Sequence, residues 1–93
     1  METLNLTQIK TALGTVPEWK KKGSTISRIY QFKDFPGAIK FVNGVARVAE
    51  KAQHHPDIDI RWNKVTLALT THDAGGLTEK DFEQAKKFDA LFR

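Results

Sequence analysis

Three histidines, His54, His55 and His72, are the only imidazoles in this chain, and all fall in one stretch of it. That stretch reads Glu50-Lys51-Ala52-Gln53-His54-His55-Pro56, then Trp62, then Thr70-Thr71-His72-Asp73. With an unperturbed pKa of about 6.5, imidazole gives and takes protons near neutrality. Two or three imidazoles around one pocket can divide the roles of acid and base, a contribution of about 10²- to 10⁴-fold in rate. Glu50 stands four residues before His54, so a helix through both makes them neighbours on one face. A carboxylate there favours the protonated ring and orients it. Thr70 beside His72 offers a hydroxyl to align a polar ligand.

Other chemistries compete for the same residues. A histidine at a helix end is more often a partner of the helix dipole than a catalyst, and His55 before Pro56 could be a plain loop residue. Three imidazoles with one open position could hold zinc. Adjacent histidines do not easily ligate one ion together, and no second acidic cluster supports a metal site. Asp81 is explained by helix capping, and Trp62 by a place in the core or an interface.

The elements that must position these residues follow from periodicity. Apolar residues at helical spacing run from Leu6 to Leu13, with Gly14 and then Pro17 to stop the helix. Glu18-Trp19-Lys20 and Thr25 to Phe32 flank a Lys22-Gly23-Ser24 turn, and the second segment is rich in β-formers, so a hairpin is expected. Asp34 can cap a long helix, with Pro36 tolerated in its first turn. Phe35, Ala38, Ile39, Val42, Val45, Ala46, Ala49 and Ala52 then recur at steps of three and four, ending near Gln53. Pro56 forbids continuation, because the residue before a proline leaves helical geometry. His54 and His55 therefore sit at a helix exit.

Ile58, Ile60 and Trp62 alternate with Asp59 and Arg61 as a half-buried strand, and Asn63-Lys64 makes a tight turn. In the next strand Val65, Leu67, Leu69 and Thr71 point one way. Thr66, Ala68, Thr70 and His72 point the other. After Ala74-Gly75-Gly76, Thr78 caps the last helix with Asp81 at the third position and a Leu77–Phe82 staple. Ala85, Phe88, Leu91 and Phe92 supply its buried face. The order α-β-β-α-β-β-α implies an α+β two-layer sandwich, a four-stranded antiparallel sheet with three helices on one face. An unpaired sheet edge favours dimerisation.

Composition bounds the class. At 93 residues, 40% hydrophobic and 28% charged, the chain reads as a single folded domain, 1–93, rather than a disordered segment. No apolar run approaches the roughly 18 residues of a membrane span. The opening Met1-Glu2-Thr3-Leu4-Asn5 lacks the basic start of a secretory signal. With no cysteine, disulfide and thiol chemistry are excluded, and a cytoplasmic location is expected. The net charge of +4 raises nucleic acid as a partner, but its densest run, Lys20-Lys21-Lys22, reads as a solvated turn and no nucleic-acid motif accompanies it.

The joint spacing narrows these alternatives. Glu50, His54-His55-Pro56, Trp62, His72 and Asp81 resemble the signature of the pterin-4a-carbinolamine dehydratases, also known as dimerisation cofactors of homeodomain transcription factors. Phe32-Lys33-Asp34-Phe35, Asn63-Lys64-Val65, Thr71-His72 and Gly76-Leu77-Thr78-Glu79 are similar to the family as well. The likeness covers nearly the whole chain.

The resemblance implies dehydration of 4a-hydroxytetrahydropterin to quinonoid dihydropterin without metal or organic cofactor. An acid protonates the hydroxyl leaving C4a, and a base removes the proton at N5. By family analogy His54 and His72 are the proton-transfer pair, His55 holds or polarises the pterin, and Glu50 orients the histidines. Gln53, Pro56, Thr70, Thr71, Asp73 and Asp81 complete the pterin site. Gln53 departs from the acidic residue common at its position, and Ile58 from a tryptophan that packs on pterin in some animal members. The family further implies a homodimer or homotetramer, and recycling of the cofactor of an aromatic amino-acid hydroxylase. The competing reading is a binding or coactivator module on the same scaffold, or the handling of another pterin.

Overall fold

The computed structural model describes residues 2–93. Its elements are α1 (Leu6–Leu13), β1 (Lys20–Lys22), β2 (Thr25–Gln31), α2 (Phe35–Ala52), β3 (Asp57–Arg61), β4 (Lys64–Leu69) and α3 (Glu79–Phe92), with a short 3₁₀ turn at His72–Ala74. The strands form one antiparallel sheet in the order β1-β2-β4-β3. This is the expected α+β order; the 3₁₀ turn is an addition to it.

Each helix begins where a side chain satisfies its open amides. Asn5 and Gln8 form a reciprocal capping box at α1. The Asp34 side chain accepts from the Gly37 amide at 2.8 Å at the start of α2. Thr78 and Asp81 form the capping box of α3.

The alternation along β4 decides which face meets the helices. Val65, Leu67 and Leu69 are buried, as are Ile26 and Tyr30 of β2. They pack with Ile9, Val16, Ala38, Phe41, Val45, Phe82, Ala85 and Phe88 in one cluster. Each large apolar side chain so buried contributes about 1.5–3 kcal/mol.

Local expectations need correction at four places. Lys20–Lys22 is an exposed edge strand rather than a turn, and the turn is Gly23-Ser24, with Gly23 at φ +60°. Strand β3 is not half-buried: only Ile60 is partly covered, because β3 lies at the sheet edge beyond the helices. Trp62 is 69% exposed, in the β3–β4 turn with φ +52°, which overturns the core alternative and leaves the interface one. In α3, Ala85 and Phe88 are buried, whereas Leu91 and Phe92 lie near the open end and stay partly exposed.

On the side of the core nearest the end of α3, Asp89 gathers a polar cluster. Its Oδ1 accepts from Trp19 Nε1 at 2.9 Å, Arg28 at 2.8 Å and the Tyr30 hydroxyl at 2.6 Å. Burial pushes the Tyr30 phenol far above its ordinary value, and donation to the Asp89 carboxylate adds to the effect.

Candidate active site

The long helix ends in a way that aims His54 inward. Gln53 adopts the left-handed conformation, φ +51°. The Gln53 amide donates to the Glu50 carbonyl at 3.2 Å, and the His54 amide to the Ala49 carbonyl at 3.1 Å. This paired closure is the Schellman motif, normally built on glycine. A glutamine in that conformation costs about 1–2 kcal/mol. The reversal carries His54 off the helix surface and under α3, where it is 8% exposed.

There the His54 ring meets Asp81. His54 Nε2 lies 2.6 Å from Asp81 Oδ1, and Asp81 is fully buried. Asp81 Oδ2 accepts from the Thr78 amide and from the Thr71 hydroxyl, each at 2.9 Å. Asp81 therefore caps α3 with one oxygen and holds His54 with the other. Capping, expected from the sequence, is half of what the side chain does.

The carboxylate fixes the imidazole chemistry. It accepts from Nε2–H, which leaves Nδ1 of the neutral ring as the free acceptor. Among the described residues no hydrogen-bond partner meets Nδ1, while Nε2 is taken by Asp81. His54 thus keeps one ring nitrogen unpaired among the described residues, with a buried carboxylate on the other.

Thr71 links this pair to His72. Its side chain lies on Asp81, and its hydroxyl is 2.9 Å from that of Thr78. Its carbonyl accepts from the amides of Ala74, Gly75 and Gly76 at 3.0 to 3.3 Å. These bonds close the 3₁₀ turn that begins with His72. Strand β4 ends at Leu69, so His72 is not strand-borne and does not share a strand face with Thr70. The turn holds His72 and Asp73 exposed. The Thr70 hydroxyl donates to the Ser24 carbonyl at 2.6 Å, which ties the end of β4 to the β1–β2 turn.

Glu50 reaches a different histidine from the one its spacing suggested. Its Oε1 lies 3.3 Å from His55 Nε2 and 3.4 Å from the side-chain Nε2 of Gln53, with His55 and Glu50 both largely exposed. The four-residue rule needs helix through position 54, and helix stops at Ala52. Pro56, half-buried, leads directly into β3.

Two contributors escaped the sequence reading. Thr78 was seen only as a cap, and Gln84 was not seen at all. Gln84 is 3% exposed, and its amide donates to the His54 carbonyl at 2.9 Å. The available signal was a polar residue inside the apolar run Phe82, Ala85, Phe88, at helical spacing from Asp81.

Among the described residues no three His, Cys, Asp or Glu side chains are grouped so as to hold a metal ion. No helix among them is long and apolar enough to cross a membrane.

Residues 2–91 match the family model described as pterin 4 alpha carbinolamine dehydratase. Relatives named as inferred pterin-4-alpha-carbinolamine dehydratases include one from Roseiflexus sp., 55% identical over 90% of this chain and 90% of its own length. Another, from Nocardia farcinica, is 52% identical over 99% of this chain and 97% of its own. Among solved structures, a transcriptional coactivator/pterin dehydratase from Brucella melitensis superposes with a TM-score of 0.95 at 34% identity, covering 99% of this chain and 100% of that one. A pterin dehydratase-like RuBisCO assembly factor of the alpha-carboxysome shares the fold, with a TM-score of 0.70 at 22% identity over 81% and 89% of the two chains.

Proposed function

Because this chain belongs to the pterin 4 alpha carbinolamine dehydratase family, we propose that it dehydrates 4a-hydroxytetrahydropterin to quinonoid dihydropterin. The observation that carries this reading is the buried His54–Asp81 pair, which engages Nε2 and leaves Nδ1 unpaired among the described residues. The hydroxyl leaves C4a with its bonding electrons and gains a proton to depart as water. N5 loses its proton, and its electron pair forms the new C4a–N5 double bond. One proton must therefore be given at the hydroxyl and one taken at N5, and two histidines can divide these roles.

His54 suits the side of the reaction on which charge develops on a ring. Asp81 at 2.6 Å compensates an imidazolium without reorganising. In this assignment His54 Nδ1 takes the N5 proton, and His72, exposed and adjacent to the Asp81-bound Thr71, serves the departing hydroxyl. His55 and Glu50 stand at the solvent edge, where they contact the pterin. Gln53, Pro56, Thr70 and Asp73 border the site. Thr71 and Asp81 act from behind the histidines, since their side chains are occupied with one another. The product then returns to reduction for an aromatic amino-acid hydroxylase, in the cytoplasm.

A homo-oligomer fits the two sheet edges unequally. Edge β1 consists of three exposed lysines, which repel a second copy. Edge β3 alternates Ile58 and Ile60 with Asp57, Asp59 and Arg61. Antiparallel pairing of two β3 strands about Ile60 sets Asp59 opposite Arg61 twice and the Ile60 side chains against each other. We assign the dimer contact to this edge.

A docking role on the same scaffold is a second reading, favoured by the likeness to a protein described as both coactivator and dehydratase. The test is turnover. Purified chain added to freshly generated 4a-hydroxytetrahydropterin should hasten formation of quinonoid dihydropterin, and His54→Ala should remove about 10² or more of that gain. Absence of acceleration by the intact chain refutes the enzymatic reading and leaves the docking one.

A further inference from the structure

We propose that Gln84 is a positioning residue for His54. Helix α3 grips His54 at two points. Asp81 holds the ring at Nε2, and Gln84, three residues on and on the same helix face, donates to the main-chain carbonyl at 2.9 Å. Residues 53 to 56 belong to no helix or strand. The segment that carries His54 is held through the Schellman closure on one side and through Gln84 on the other. With both ring and backbone fixed by one helix, Nδ1 has one place and one direction.

A second observation separates this from ordinary packing. Gln84 Oε1 is buried with no hydrogen-bond partner among the described residues, an arrangement that costs stability because an unpaired buried acceptor forfeits its hydration. An apolar side chain of the same size would fill the same buried space without that cost. The amide is therefore explained by what its Nε2 holds, not by the core around it. Asp81 alone fixes the ring against α3. Gln84 fixes the backbone against rotation about that contact.

The inference rests on the reading of His54 as a proton-transfer group, and its test is arranged to separate the two. Gln84→Met keeps the shape and removes the donor. The lost bond and the removed orphan oppose each other, so the midpoint of thermal unfolding should shift by less than about 8 °C. We expect kcat to fall about 10-fold with KM within about twofold, as for a sub-ångström misplacement of a catalytic group. Without any pterin present, the His54 ring resonance should change from one sharp line to a broadened or doubled one. If kcat stays within about twofold and the ring resonance is unaltered, Gln84 merely packs.

Should Gln84→Met unfold, Gln84→Glu carries the question. A carboxyl can donate to the His54 carbonyl only while protonated, so its kcat relative to the parent chain should rise as pH falls. A ratio flat in pH overturns the proposal. If the parent chain lacks dehydratase activity, the reaction assignment fails and the ring resonance still decides on Gln84.

Discussion

Asp81 and His54, 27 positions apart in sequence, meet at 2.6 Å with the carboxylate fully buried and the imidazole nearly so. The contact exists because α2 ends in a left-handed glutamine and α3 begins with a capping box whose carboxylate has an oxygen to spare. A structural device at one helix start thereby becomes the partner of a side chain at another helix end.

Asp81→Asn should separate capping from proton transfer. The amide oxygen can still accept from Thr78 or from Thr71. The amide nitrogen, turned to His54, donates to Nε2 and forces the proton onto Nδ1, the wrong tautomer for a base. Reversal of the tautomer at a carboxylate–histidine pair costs up to about 10⁴ in kcat. Turnover measurements together with the nitrogen chemical shifts of the His54 ring check it. An unchanged tautomer with full activity would remove Asp81 from the mechanism.

The three histidines should not be equivalent. His54→Ala should lower kcat about 10²- to 10⁴-fold, and His72→Ala by a comparable factor if it serves the leaving hydroxyl. His55, exposed beside exposed Glu50, should act mainly through KM when changed to alanine. Steady-state kinetics on the three variants test the order, and a dominant kcat effect at His55 would reverse the assignment.

Tyr30 gives a clean alkaline probe, since it is the only tyrosine in the chain. Its phenol is raised by burial and by Asp89. Above the unfolded value of about 10, the unfolded chain loses a proton that the folded chain keeps. Stability is therefore complete below that pH and falls above it, with a limiting slope of about 1.4 kcal/mol per pH unit from this group. The native protein should show no phenolate absorbance until it unfolds, and Tyr30→Phe should flatten the slope. Phenolate appearing in the folded protein near its ordinary pH would contradict the buried cluster.

The β3 edge can be tested by exchanging charges. Asp59→Arg places like charges opposite Arg61 of the second copy and should raise the dimer dissociation constant about 10-fold, from two altered cross-strand pairs. Adding Arg61→Asp should restore most of the association. Sedimentation equilibrium reads both, and a dimer indifferent to either change lies elsewhere.

Much of this protein was legible in one dimension. The helical spacing from Phe35 to Ala52, the alternation from Val65 to Leu69 and the caps at Asp34 and Thr78 are local patterns, and they fixed the element order and the α+β layers. The grouping of His54, His55 and His72 with Glu50 and Asp81 marked a candidate site, because residue types and spacings are preserved in sequence. The partners were not legible. Local rules paired Glu50 with His54, but the left-handed Gln53 turned the imidazole toward α3 and left Glu50 to His55. Parity placed His72 on a strand, but Thr71 closed a 3₁₀ turn against Asp81. Gln84 carried almost no signal, since its use appears only where α3 crosses the end of α2. Sequence determined which groups could transfer protons; the packing of α3 on the exit of α2 decided which carboxylate holds which imidazole, because buried hydrogen bonds are set by proximity in space and not along the chain.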